Sequence, residues 1–306
     1  MQVIDCRNLP ENEFKSLRRQ RLGSSDLGVL AGLYGSRLQL YLTKIGAIDG
    51  IEVTEEMRAG LGLEDHIANE YCRATGREIK TTQSMIVDDW RHATVDALCT
   101  DGRYCEWKAV GLRTASRLDP GGDPDSLPEG WLLQTHQAMD LLAALVCDVC
   151  VFVGPELKTR IYTVPFRPKL AAAAKQMGRQ FWFEHVIPRV APMEFQAGDL
   201  PAIKQAFRED TGEVLVWDHY ALEDAKEIEE YRRERLDHEN LAKWWGERED
   251  AAKASLLFKL GNASGAELPD GWSISRTIRE KRGYTVEASR YVDLRIKAPK
   301  TKGENE

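Results

Sequence analysis

Residues 92–110 read HATVDALCTDGRYCEWKAV, and the fold turns on this stretch. Two apolar runs, 93–99 and 104–110, flank Asp101-Gly102. Glycine accepts the positive φ of a tight turn, and Val, Leu, Tyr and Trp suit a pleated surface, so the segment reads as a β-hairpin. It carries three charges that a buried sheet would not otherwise choose: Asp96, Glu106 and Lys108. Glu106 and Lys108 are two apart, so they share one face of a strand and Trp107 points to the other. A two-residue turn at Asp101-Gly102 would aim Asp96 away from Glu106. A three-residue loop, 101–103, places Asp96 opposite Lys108 and Leu98 opposite Glu106, with all three charges on one face. The odd loop is the prediction, because a one-residue change of register flips every side chain. Two carboxylates and an ammonium converging there suit a divalent metal held by oxygen ligands and a lysine beside a water. An ordinary salt-bridged hairpin would carry the same residues.

The chain has 306 residues, 42% hydrophobic and 30% charged, as expected of a soluble globular protein with one large domain or a domain and an appendage. No stretch reaches the length of a membrane span, and MQVIDCRNLP lacks the basic-then-apolar pattern of a signal peptide, so the cytosol is the expected compartment. Six cysteines in such a chain read as reduced thiols. Cys147 and Cys150 form a CxxC inside the β-type run ALVCDVCVFVG, and no second CxxC accompanies it, so they read as buried strand thiols. The net charge is −7. With 23 basic and 26 acidic residues, segment 1–195 carries −3; with 19 and 23, segment 196–306 carries −4. Any nucleic-acid binding must therefore use local clusters and metal rather than the global field. The best cluster is Lys15, Arg18, Arg19 and Arg21, which equally suits a solvated helix face.

Around the hairpin, residues 11–22 read as a helix with acids early and bases late. In GSSDLGVLAGLYG, Ser24 or Ser25 can cap a short helix, and Arg21 just before it adds a guanidinium to free N–H groups, a combination that suits a phosphate as well as simple capping. Helices are expected over 36–46 and 54–76, the latter ended by Gly76 and apolar along Leu61, Leu63, Ile67 and Tyr71. Glu64 among them either snorkels to solvent or aims at a cation. Residues 77–88 read as the first strand, 111–130 as a long loop, 130–146 as a helix presenting Gln134 and Gln137, and 147–153 and 159–165 as strands. A helix around 168–187 is expected to carry Phe181-Trp182-Phe183 into the core. This order predicts an α/β or α+β domain over 1–195 with a mixed central sheet flanked by helices. From 196 to 306 the expectation is a module with a long helix or helical hairpin over 217–260, anchored by Trp244 and Trp245, then a small hairpin in 266–297 and a frayed tail KAPKTKGENE.

Several spaced features together resemble a family. Arg21-Leu22-Gly23 with Ser25-Asp26, the helix MRAGLGLEDHIANEYCRATG carrying Glu64, Asp96 followed by Glu106-Trp107-Lys108, and Gln134 and Gln137 in LLQTHQAM stand in the order found in YqaJ-type viral recombinases, relatives of lambda exonuclease with the nuclease pattern PD-(D/E)XK. The resemblance covers about residues 18–190, with the later helix and hairpin similar to the family's common tail. It implies a magnesium-dependent exonuclease, with one or two Mg2+ ions per site and Mn2+ able to substitute, that degrades one strand from a duplex 5′ end and leaves a 3′ single strand for an annealing recombinase. Asp96, Glu106, the Trp107 backbone carbonyl and Glu64 would hold metal, Lys108 would position the attacking water, and Gln134 would orient it. Arg21, Ser24 and Ser25 would hold the terminal phosphate or backbone, with Trp131 and Gln137 also facing DNA. A homo-oligomeric ring around DNA, such as a trimer, is implied as well. The chain departs from the pattern at Val95, where Pro is usual, at Ala97, where Gly is usual, and at Trp131, where Tyr is common. The same motifs also fit an endonuclease of restriction or repair, and a non-catalytic DNA-end binder is the reading from another class.

Overall fold

A computed structural model describes residues 2–50, 54–217, 219–237, 242–281 and 289–297, in two compact units, Met1–Ala191 and Pro192–Glu306. The first unit runs β1 (Gln2–Asp5), α1 (Glu11–Arg19), β2 (Leu22–Gly23), α2 (Asp26–Leu30), α3 (Arg37–Lys44), α4 (Glu55–Gly62) and α5 (Glu64–Thr75). It continues through β3 (Ile79–Val87), β4 (Arg91–Cys99), β5 (Tyr104–Val110), α6 (Leu112–Ala115), α7 (Glu129–Leu142), β6 (Val146–Val153), β7 (Lys158–Pro165) and α8 (Pro168–Phe181). The expected first strand is thus preceded by two short ones, and the expected long loop holds α6. Local chemistry explains several boundaries. The Ser36 hydroxyl accepts the N–H groups of Leu38 and Gln39 at the start of α3, and Gly76 ends α5 at φ 69°. The helix expected over 54–76 is two, meeting at Leu63, and Leu61 is exposed rather than packed.

The sheet order is β1-β3-β4-β5-β6-β7, with β2 also alongside β4. Pairing is antiparallel except for β5 with β6 and β2 with β4. The parallel β5–β6 pair requires a crossover, and α7 lies within it. The architecture is therefore the expected mixed α/β one, a mixed central sheet flanked by helices. Ile67, Tyr71, Trp107, Cys150 and Phe152 fill the core beneath α5; Tyr104, Val149, Val151, Leu132 and Met139 belong to the core that includes α7. Cys147 and Cys150 are buried free thiols of β6, as expected. Phe181 and Trp182 enter the core, whereas Phe183 is exposed, because three successive residues cannot all face inward from one helix.

The hairpin loop has the predicted odd length but sits one residue earlier. Leu98 pairs with Tyr104 and Ala97 with Cys105, and the Cys99 N–H donates to the Arg103 carbonyl, so the loop is 100–102. Gly102 takes φ 83°. The same register brings Asp96 opposite Glu106, not Lys108, and leaves all three charges on one face because the parity is unchanged.

The second unit contains α9 (Asp199–Ala206), β8 (Val214–Val216), α10 (His219–Asp237), α11 (Ala242–Leu260), β9 (Gly265–Glu267), β10 (Ser273–Lys281) and β11 (Ser289–Lys297). The long helical segment is thus a pair, joined by Lys259–Asp224 at 2.6 Å and by the rings of Tyr231 and Trp245. Trp245 is half-buried there, but Trp244 is exposed with Arg248 over its ring. β10 and β11 form the expected hairpin within a sheet of order β11-β10-β9-β8. The expected frayed tail lies, from 298 onward, outside the described residues. Among the described residues no helix is long and apolar enough to cross a membrane.

Candidate active site

Two strands that begin as partners and then separate make the site. β4 keeps β3 along one edge for nearly its whole length. On its other edge β5 pairs only at Ala97 and Leu98, and β2 takes up the far end at Arg91 and His92. Between them the edge of β4 is open at residues 93–96, while β5 follows β6. At the mouth of this opening the Trp107 N–H finds no β4 carbonyl and donates instead to the Asp96 carboxylate, at 2.6 Å. An extended residue presents N–H and C=O to the same edge, so the Trp107 carbonyl also faces the opening. The Trp107 ring points the other way, as predicted, and packs on Tyr71 at 5.3 Å.

Glu106 is the most enclosed member, 2% exposed. Its carboxylate accepts from the Tyr104 hydroxyl at 2.5 Å, from Lys108 Nζ at 2.7 Å and from Gln134 Nε2 of α7. Lys108 Nζ also donates to Gln134 Oε1 at 3.3 Å and lies 5.7 Å from the Trp131 ring centre. Trp131 is half-buried against the core, so it packs, and it covers the ammonium. Glu64, at the first turn of α5, is half-exposed and accepts from Gln83 Nε2 at 2.9 Å. Asp96, Glu106, Lys108 and Gln134 therefore converge as predicted, with Glu64 close enough to Asp96 to be felt electrostatically.

Burial, and then the neighbouring Glu106 carboxylate, push the Asp96 carboxyl well above the usual range; Lys108 and the Trp107 N–H oppose the shift. Burial alone would lower Lys108, but Glu106 and Asp96 outweigh it and raise its pKa, so the ammonium stays charged. Two carboxylates facing each other, Glu106 buried and Asp96 half-buried, call for a cation, and the donors that meet here are hard oxygens: two carboxylates and a main-chain carbonyl. This donor set fits a magnesium-type ion. Among the described residues no three His, Cys, Asp or Glu side chains group closely enough to hold a metal ion, and Glu64 accepts instead from Gln83.

The predicted phosphate residues divide. Ser25 begins α2 without capping it through its side chain; its hydroxyl instead accepts from Arg18 at 3.3 Å. Arg21 is turned away, its Nε donating to the Asp88 carbonyl at 2.8 Å. Ser24 is buried. Gln137, expected at the DNA face, is buried too, donating to the carbonyls of His92 and Leu22, so it ties α7 to β4 and β2. The segment is held from below by a buried ion pair, Asp26–Lys44 at 2.7 Å, in which Lys44 also donates to the carbonyls of Arg18 and Arg21 at 2.8 and 2.9 Å.

Sequence reasoning missed Tyr104, Gln83, Arg18 and Lys44. The period-two rule already placed Tyr104 on the Glu106 face. Arg18 lay within the basic cluster, but nothing local distinguished it from Arg21.

Residues 13–141 match the profile of the YqaJ-like viral recombinase domain, the family the motifs resemble. Among solved structures, an alkaline exonuclease (LHK-Exo) from Laribacter hongkongensis is 18% identical, with 56% of this chain and 91% of that chain covered and a TM-score of 0.49. A phage related exonuclease from Haemophilus somnus 129PT is 14% identical, covering 56% of this chain and 99% of that one, with a TM-score of 0.39. No curated protein matches the chain.

Proposed function

We propose that this chain is a metal-dependent DNA exonuclease of the YqaJ type, hydrolysing phosphodiester bonds from duplex ends in the 5′ to 3′ direction. The observation that carries the reading is the convergence of Asp96, Glu106, Lys108 and Gln134 where β4 and β5 part, within the segment matched by the family profile. Asp96, Glu106 and the Trp107 carbonyl would hold Mg2+, or Mn2+ in its place, with Glu64 contributing from α5. Bound there, the ion supplies charge neutralisation at the scissile phosphate and a water of lowered pKa.

The protein's own groups do the rest. Lys108, kept charged by Glu106 and Asp96, presents its ammonium to the water and to the charge developing on phosphorus. Gln134 ties Lys108 to Glu106, accepting from the ammonium and donating to the carboxylate. Tyr104 fixes the second Glu106 oxygen. Arg18 and Ser25 would receive the terminal 5′ phosphate, with Arg18 in the role expected of Arg21. The product 3′ single strand would pass to an annealing recombinase, and a homo-oligomeric ring would give processivity without a basic surface.

The competing reading, a DNA-end binder without catalysis, draws on the Lys108–Glu106 ion pair, which neutralises the lysine inside the protein. The Lys108 side chain nevertheless keeps 19% of its surface exposed, enough to meet water. Linear duplex labelled at either terminus, incubated with Mg2+, separates the readings. Progressive release of 5′ label, intact closed circles and inactive Glu106→Ala and Lys108→Ala are expected. Cutting of circles would indicate an endonuclease, and metal-dependent end binding without cleavage would leave the binder. Light scattering giving a monomer at working concentration would count against the ring.

A further inference from the structure

Tyr34 stands on the turn between α2 and α3 with 49% of its surface exposed, yet its place is closely defined. Its hydroxyl donates to the Ser25 carbonyl at 2.9 Å, and the turn is closed by the Leu33 N–H on the Gly28 carbonyl at 3.0 Å. The ring rests on two glycines from different helices. A Cβ on Gly28 of α2 would collide with the ring and its hydroxyl, and a Cβ on Gly130, in the first turn of α7, would stand 3.0 Å from Tyr34 Cε1. Glycine at both positions is what admits the ring. An aromatic ring seated in this way and still half open to solvent is shaped as a platform, with its polar tip satisfied and apolar surface left over.

Its position gives the platform a use. On one side the Tyr34 hydroxyl holds Ser25, whose own hydroxyl accepts from Arg18, the pair proposed above to receive the terminal 5′ phosphate. On the other side Tyr34 and Lys108 are close enough for each to be felt electrostatically by the other, and Trp131, next to Gly130, covers the same ammonium. Lys108 marks the phosphate to be cut. Two successive phosphates of one strand are separated by a single nucleoside, so a residue adjoining both phosphate positions faces the terminal sugar and base. We propose that the Tyr34 ring stacks on the terminal base of the strand being degraded. The proposal rests on the exonuclease reading of the site. Every base has a π face, so stacking detects a base without reading its sequence, as an enzyme that consumes any end requires.

Release of the first labelled nucleotide from two duplexes tests this, one with an intact 5′ end and one whose terminal nucleotide is abasic but keeps its 5′ phosphate. Losing a base–aromatic stack commonly costs about 10-fold, so Tyr34→Ala is expected to lower kcat/KM on the intact end by roughly that factor. Wild type should lose as much on passing from the intact to the abasic end, a comparison that needs no variant to fold. On the abasic end, where the stack is already gone, Tyr34→Ala should match wild type. Tyr34→Phe keeps the ring while giving up the bond to Ser25 and should recover most of the loss. Tyr34→Leu fills the same seat without a π face and should not. Thermal melts check that each variant is folded. Equal losses on both ends, or a Phe variant as poor as the Ala variant, would mean that Tyr34 serves only the Ser25 carbonyl, and would overturn the proposal. An undiminished Leu variant, or a wild type indifferent to the missing base, overturns it too. A wild-type chain that releases no label from either duplex overturns the exonuclease reading itself, a distinct result.

Discussion

The Glu106 carboxylate and the Lys108 ammonium meet at 2.7 Å on one face of a single strand. With Tyr104 and Gln134 also donating to that carboxylate, its charge is met by three donors. The arrangement is an ion pair that the reaction would borrow from.

Removing half of it should be costly. Lys108→Met leaves the buried Glu106 without its compensating charge, and breaking a buried pair from one side typically costs roughly 3–5 kcal/mol. The double variant Lys108→Met, Glu106→Leu should recover much of that loss, while both proteins lack nuclease activity. Urea unfolding of the two variants measures the difference; equal destabilisation of single and double would refute the compensation.

Lys44→Met removes the partner of Asp26 and two bonds to the carbonyls of Arg18 and Arg21. A loss of roughly 3 kcal/mol is expected for the buried pair, and with it the geometry of the Arg18–Ser25 contact. Comparing substrates with 5′ phosphate and 5′ hydroxyl ends should show reduced discrimination, with the 5′ hydroxyl rate little changed. Retained discrimination would mean that Lys44 serves stability alone.

Arg18 and Gln137 should part company in DNA binding. Arg18→Ala is expected to lower the slope of log affinity against log salt by about one, as loss of one phosphate contact does. Gln137→Ala should leave the slope unchanged and destabilise the fold by about 1–3 kcal/mol, because two carbonyls lose a buried donor. A changed salt slope in Gln137→Ala would return that residue to the DNA interface.

Acid should act through His92. Burial, with Lys44 next in weight, pushes its pKa down from 6.5 to about 3, so the folded protein keeps the ring neutral while the unfolded chain protonates it. The contribution is fully present above about pH 6.5 and is lost as pH falls toward 3. At about 1.4 kcal/mol per unit it amounts to roughly 5 kcal/mol at the acid end. His92→Phe should flatten stability between pH 6.5 and 4; an unaltered acid limb in thermal melts would show that other groups set it.

Much of the site was legible because its key spacings are local. Glu106 and Lys108 share a face by covalent geometry, and a three-residue loop carries Asp96 to the same face wherever that loop begins. The exact partner was not legible. The choice between loops 100–102 and 101–103 depends on how the hairpin meets β3 and β6, not on Asp101-Gly102 alone. Gln137 shows the same limit on a helix. It lies three positions beyond Gln134, near enough for both to face DNA in a helical projection, yet β2 and β4 pack against it and bury it.

Periodicity and capping are properties of neighbouring residues, set by backbone sterics and by hydrogen bonds within one turn, and they were enough for the hairpin, the helix ends at Ser36 and Gly76, and the mixed α/β class. What only tertiary packing decided was the opening itself. β5 leaves β4 for β6, β2 enters at Arg91–His92, and the freed edge exposes Asp96 and the Trp107 main chain. The bond of Arg21 to the Asp88 carbonyl, the buried support from Lys44 and the bond from Gln83 to Glu64 belong to the same level. Each joins segments far apart in the chain, and such contacts are selected by which surfaces pack together, a collective quantity that no local spacing contains.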